Sequence, residues 1–210
     1  MSDNKIKDEV NKYVYPSEFA YARGEHVYFR YLTEEDAKGE WHLWFNSPEV
    51  TQYMGARRWF NTIDNQLEYL QYVKTTKDRL TLAIIDIKTN KHIGVCSLGS
   101  IDYINRHAEE SCVIGNKKFQ NGLYALESIA MITEIGFSRL NLHKIYATGA
   151  ESNQNGLMLT KLLGYKESGR FKEHSFIKGK YEDSIILEIL QVDWFKSPKR
   201  PKLMQLNYDE

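Results

Sequence analysis

The sequence predicts one mixed α/β domain in which a single sheet is covered by helices on both faces. Two observations carry that prediction: the apolar period switches repeatedly between strand-like and helix-like along the chain, and no internal repeat appears in its 210 residues. Composition agrees. Apolar residues make up 42% and charged residues 27%, the balance of an ordinary globular protein rather than a disordered or fibrous one.

The elements follow in order. Residues 1–24 read as an arm in which Tyr13, Tyr15, Phe19 and Tyr21 offer packing surface to the domain or to a second subunit, and so to a homodimer. Val27 to Leu32 has the β-branched and aromatic content of a strand. Thr33 followed by Glu34, Glu35 and Asp36 combines an N-cap with first-turn acids, so a helix is expected through about Phe45, stopped by Asn46-Ser47-Pro48. Ile63, Leu67, Leu70 and Val73 recur at helical spacing and predict a second helix over about 62–74. Leu80 to Ile87 and His92 to Gly99 read as a hairpin turned by Lys88 to Lys91, with a further strand at Ala108 to Ile114. A long helix is expected over 121–139, a strand over 144–148, and a helix from Asn153 to Leu163 closed by Gly164. Two strands, 165–177 and 181–190, finish the domain at about residue 191, and 192–210 reads as a tail.

Charge and cysteines exclude several classes. Lys plus Arg and Asp plus Glu are both 28, and the densest basic run, Lys196 to Lys202, sits in the expected tail, so no nucleic-acid partner is expected. Cys96 and Cys112 lie in apolar stretches without a neighbouring His or Cys at ligand spacing, which predicts reduced buried thiols and no metal. No apolar run reaches membrane-spanning length and the first ten residues are polar, so a cytoplasmic protein with no membrane partner is expected.

Two segments carry chemistry. Cys112 to Glu127 runs from a strand through a short loop into a helix, and exposed N–H groups at a helix start can wrap a pyrophosphate. One strand later, Asn153 opens a helix that ends at Gly164-Tyr165. Together these resemble the Gcn5-related N-acetyltransferase (GNAT) superfamily, whose pattern Q/R-x-x-G-x-G/A is matched by Gln120 and Ala125, with Glu127 two places on. Glu167, Gly169 and Lys180 to Asp183 continue the likeness, which covers about residues 25–190. Leu123 stands where the family has its central glycine, one place after Gly122, and Thr160 stands where many relatives place a Tyr that protonates the departing thiolate. In lacking that Tyr the chain is similar to the branch of ribosomal-protein N-terminal acetyltransferases.

The resemblance implies a mostly antiparallel sheet of about seven strands flanked by about four helices and splayed between the fourth and fifth strands. It implies an acyl-CoA-dependent N-acyltransferase, with acetyl or a larger hydroxyacyl as the group moved. The coenzyme would be held by Val113, Ile114, Gly115, Gln120, Asn121, Gly122, Leu123, Tyr124, Ala125 and Asn153, and Glu109 or His107 would accept the amine proton. For the acceptor, Trp41, Trp44, Asn46, Arg57 and Arg58 combine ring faces with guanidinium groups, which suits a nucleotide-linked amino sugar. A peptide amino terminus, another small amine such as a polyamine or antibiotic, and an inactive coenzyme A-binding module are the alternatives.

Overall fold

The computed structural model describes residues 20–55 and 59–201. Eight strands form one sheet: β1 (Ala22–Arg23), β2 (Val27–Tyr31), β3 (Leu80–Asp86), β4 (His92–Asp102), β5 (His107–Ile114), β6 (Lys144–Ala150), β7 (Lys166–Ile177) and β8 (Lys180–Leu190). Their order is β1-β2-β3-β4-β5-β6-β8-β7. The strand beyond the expected seven is β1, two residues that pair with Tyr28 and Phe29 at the sheet edge. The first expected helix is divided into α1 (Glu34–Lys38) and α2 (Trp41–Trp44), because Gly39 leaves the helical conformation and donates its N–H to the Asp36 carbonyl. Pro48 then starts a short helix, α3 (Pro48–Thr51), at the first-turn position where its missing N–H costs nothing. The remaining helices are α4 (Ile63–Thr75), α5 (Leu123–Ser138), α6 (Gln154–Leu162) and α7 (Gln191–Lys196).

Alternation along the strands divides the core into two layers. Leu82, Ile84, Cys96 and Leu98 face α5, whose Ile129, Ile132 and Ile135 are buried against them. On the other face, Ala83, Ile85 and Val95 pack on Trp41, Trp44 and Leu70 from the shorter helices. A buried ion pair fixes that second layer: Arg30 of β2 donates from Nη1 and Nη2 to the two oxygens of Asp36 at 2.6 and 2.8 Å, and His92 Nδ1 lies 3.0 Å from Asp36 Oδ1. Burial pushes the Asp36 carboxyl up, but the bonds from Arg30 and His92 outweigh it and hold the group well below the usual range.

The central joint of the sheet is short. β5 and β6 run parallel and pair only at His107 with Lys144, Ala108 with Ile145 and Glu109 with Tyr146. Beyond that point β5 stays paired to β4 as far as Ile114, while β6 stays paired to β8 as far as Ala150. The two strands therefore diverge, as the fold resemblance implied.

The C-terminal segment departs from the expected solvated tail. α7 docks with Trp194 fully buried, its Nε1 donating to Glu134 Oε2 at 2.8 Å, and Arg200 closes on the same carboxylate with two bonds of 2.8 Å. A ring that large carries enough apolar area to hold a short helix on the core. Tyr13, Tyr15 and Phe19 of the expected arm lie outside the described residues, while Tyr21 packs beneath the guanidinium of Arg139. Both cysteines are free thiols, as expected. None of the described helices is long and apolar enough to cross a membrane.

Glu110 is buried against α5, and its Oε2 has no partner among the described residues. Desolvation, reinforced by the nearby charge of Glu109, pushes its carboxyl from about 4.5 up to about 8. The unfolded chain releases this proton near pH 4.5 and the folded chain holds it to about 8, so stability falls with pH across that window. Glu110→Gln should remove that slope, about 1.4 kcal/mol per pH unit, and unfolding titrations at pH 5, 6 and 7.5 would read the difference.

Candidate active site

The site is built around the gap between β5 and β6. Alternate backbone N–H and C=O groups of residues 110–114 face the gap with no strand opposite. Glu109 and Tyr146 are the last pair before it opens, so their side chains stand at its vertex on one face of the sheet. His107, Ser111 and Val113 share that face with Glu109. The Glu109 side chain has no hydrogen bond or ion pair among the described residues. His107 stands beside them: its ring packs edge-on to Tyr146 at 6.0 Å, Nε2 lies 3.8 Å from Asp102, and its buried Nδ1 has no hydrogen-bond partner among the described residues.

At the far end of the gap lies the turn into α5. A 3₁₀ turn at Lys117–Phe119 leads to Gln120, whose Nε2 donates to the Ile114 carbonyl at 2.8 Å and ties the turn to the end of β5. Gly122 is the N-cap with φ of +84°, a conformation that side chains rarely adopt, and Leu123 is the first helical residue. This accounts for the displaced glycine. The residue that must turn is Gly122, and Leu123 needs only ordinary helical angles. Gly122 provides no side-chain cap, and Leu126 is the first helical N–H to bond back, to the Gly122 carbonyl. Asn121 Oδ1 takes the Leu123 N–H at 3.2 Å, leaving those of Tyr124 and Ala125 pointing out of the helix start.

Several expected site residues serve the fold. Gly115 donates its N–H to Ile93 at 2.9 Å, so that donor is already used by β4. Its lack of a side chain admits Trp44, since a Cβ there would sit 2.0 Å from the indole. Trp44 is therefore core, covered by Gly115 and by the His92 ring at 4.9 Å. Asn46 and Asn61 clasp each other's loops, Asn46 Nδ2 donating to Asn61 O and Asn61 N to Asn46 Oδ1, both at 2.7 Å. The Tyr124 hydroxyl donates to Asp86 at 3.2 Å and its ring packs on Phe119, so only its backbone faces the turn. Asn153 caps α6 through the Gly156 N–H at 3.3 Å, and Ile114 is largely buried. Glu127 grips the β1–β2 turn, accepting from the backbone N–H of His26 at 3.0 Å while His26 Nδ1 lies at 2.9 Å. Arg57 and Arg58 lie outside the described residues.

On the face of Glu109 and Ser111, α2, α4 and the loop between them enclose a cavity of about 410 Å³. Trp41, Phe45, Trp59, Phe60 and Tyr69 line it, and Val113 and Ser111 of β5 reach its floor. Trp59 and Phe60 are 78% and 76% exposed at its mouth, unusual for rings that face only solvent. Among the described lining residues there is no carboxylate, and the one cation is Arg79.

Sequence reasoning missed Arg79, Ser97, Ser111 and Tyr146. Arg79 precedes β3 by one residue and stands among ordinary surface residues, and nothing local marks it. Tyr146 reads as one strand residue among others, until the parallel joint sets it beside Glu109. Desolvation, then the Glu109 charge, raises its phenol above the usual value. Thr160 is buried and donates to the Gly156 carbonyl at 3.1 Å, which removes its hydroxyl from the gap.

Gly115→Ala should lower stability by about 2 kcal/mol through displacement of Trp44, measurable by denaturant unfolding. A cofactor role alone would leave stability unchanged.

A family model described as an acetyltransferase (GNAT) domain matches residues 26–166. The chain is 28% identical over 175 residues to the spermidine N(1)-acetyltransferase of Escherichia coli strain K12, a match spanning 83% of this chain and 91% of that protein. It is 25% identical over 173 residues to the uncharacterized N-acetyltransferase p20 of Bacillus licheniformis, spanning 81% and 96%. Among solved structures, spermidine N-acetyltransferase from Vibrio cholerae in complex with CoA and spermine matches with a TM-score of 0.74 at 26% identity, covering 81% of this chain and 98% of that one.

Proposed function

The chain belongs to the acetyltransferase (GNAT) family and is an acyl-CoA N-acyltransferase, and we propose that its acceptor is a small amine with an apolar or aromatic body and no second positive charge. The observation that supports this acceptor is the aromatic cavity beside Glu109, which has no carboxylate among its described lining residues. A polyamine keeps more than one ammonium at neutral pH, and burying an ammonium without a counter-ion costs several kcal/mol.

In this reading the pyrophosphate lies over the N–H groups of Tyr124 and Ala125 at the positive end of α5, with Gly122 letting the backbone turn beneath it. The pantetheine follows the gap, its amides matching the backbone groups of residues 110–113 that no strand faces, and the thioester reaches the vertex. The amine approaches from the cavity and forms a C–N bond with the thioester carbon. Glu109 takes the amine proton, an N–H of β5 at the gap holds the developing oxyanion, and the C–S bond breaks. The thiolate then takes a proton from the Tyr146 hydroxyl or from water, since Thr160 is turned into its own helix.

The nucleotide-linked amino sugar expected from the sequence fits this acceptor class by charge, with its nucleotide outside a cavity of about 410 Å³. Similarity to spermidine N-acetyltransferases over most of both chains favours the second reading, a polyamine acceptor. Release of coenzyme A thiol across a panel separates them. Aromatic and amino-sugar amines should turn over faster than spermidine, and a clear preference for spermidine would establish the second reading. Tight acyl-CoA binding with no thiol release from any amine would leave an inactive module.

Glu109→Gln should lower kcat about 10²-fold or more and flatten the acid limb of the pH profile. An unchanged kcat and profile would remove Glu109 from the role of base.

A further inference from the structure

The geometry points to Arg79 as an anchor for an oxyanion, a carboxylate or phosphate, carried by the amine acceptor. The inference rests on the acyl-transfer reading and narrows its acceptor.

Arg79 lines the cavity, and its guanidinium lies across β4 at Gly99. A Cβ there would meet Nη2 at 2.5 Å and Cζ at 2.8 Å, so the planar group occupies the space a side chain at position 99 would take. Nη1 donates to Ser97 Oγ at 3.2 Å, and Ser97 Oγ is bonded to Ser111 Oγ at 2.9 Å. Ser97 and Ser111 are cross-strand partners on the cavity floor. The relay fixes one edge of the guanidinium. No Asp or Glu of the described residues lies within ion-pairing distance of it.

A guanidinium has five donors in a planar fork, suited to a carboxylate or phosphate taken two bonds at a time. Here the hydrogen bond to Ser97 is the one it makes among the described residues, and no carboxylate stands among the described lining residues of the cavity. The guanidinium is half-buried, and the neighbouring Asp78 carboxyl is held below the usual range first by its bond from Thr76 and then also by the Arg79 charge.

Position gives the inference its chemistry. Gly99, beneath the guanidinium, is paired directly with Glu109 of β5. Paired residues stand about 5 Å apart, so an anion on Arg79 is held within a few bond lengths of the proposed base. The acceptor that spans these points has its amine close to its anionic group and an apolar body against Trp41, Trp59 and Phe60. An aromatic amino acid has that shape, and so does a compact amino-sugar phosphate.

Two measurements test this on the full chain. The first reads the anchor without turnover: calorimetry of 3-phenylpropanoate and of its neutral amide, 3-phenylpropanamide, with coenzyme A present. The acid should bind and the amide should not, and Arg79→Gln should weaken the acid at least tenfold. Equal binding of acid and amide, or of the acid to both proteins, overturns the inference.

The second reads thiol release for matched pairs: phenylalanine against phenylalaninamide for the carboxylate, and glucosamine 1-phosphate against glucosamine for the phosphate. Arg79→Gln should lower kcat/KM for the anionic member of the preferred pair about 10²-fold more than for its neutral partner, through KM, with Arg79→Lys between. Equal losses on both members, with melting temperatures unchanged, overturn it. Turnover of spermidine alone overturns the anchor and leaves acyl transfer standing. Absence of thiol release with the acid still bound at Arg79 removes the acyl-transfer reading instead.

Discussion

Everything at this site depends on a parallel joint three residue pairs long between β5 and β6. On either side of it the sheet is held by long antiparallel ladders, β5 to β4 and β6 to β8, each with its own twist. The joint cannot follow both. Past Glu109 and Tyr146 the strands part, and backbone groups that a closed sheet would satisfy internally are left along a slot. A linear ligand rich in amides is the natural partner for such an edge, which is why the gap and an acyl-CoA donor belong together.

Glycines place the surrounding groups, each by a different means. Gly122 makes the turn that presents the first amides of α5, at a backbone angle favouring glycine. Gly115 admits Trp44 and so brings α2 down onto the sheet beside the cavity, while Gly99 admits the guanidinium of Arg79. In the fold, one turns the chain into α5, one seats a core ring and one seats a cation. The core beneath is less tolerant: Glu110 keeps its proton because burial between β5 and α5 leaves a carboxylate nothing to pair with.

The residues that read correctly from the sequence share one property. Thr33, Asn153 and Gly164 act on neighbours within a few positions, as caps and turn formers, so spacing alone reveals them. Those that read incorrectly act over distance. Asn46 looked free to meet a substrate until Asn61 closed on it, and Trp44 looked like a stacking ring until Gly115 covered it. The segment after residue 191 looked like a tail until Trp194 was buried against Glu134, 60 positions away, while its described basic residues stayed exposed.

By itself the sequence determined the order of strands and helices, the two layers of the core and the turn that opens α5, because periodicity, capping and turn chemistry are local properties of a chain. It also carried the family, through short motifs of fixed spacing. Only the tertiary structure decided which side chains face the reaction. Glu109 and Tyr146 meet because two strands 37 positions apart share a short joint, and Arg79 reaches the cavity because β4 offers it a glycine. Contacts of that kind are set by packing between distant segments, and no pattern along the chain announces them.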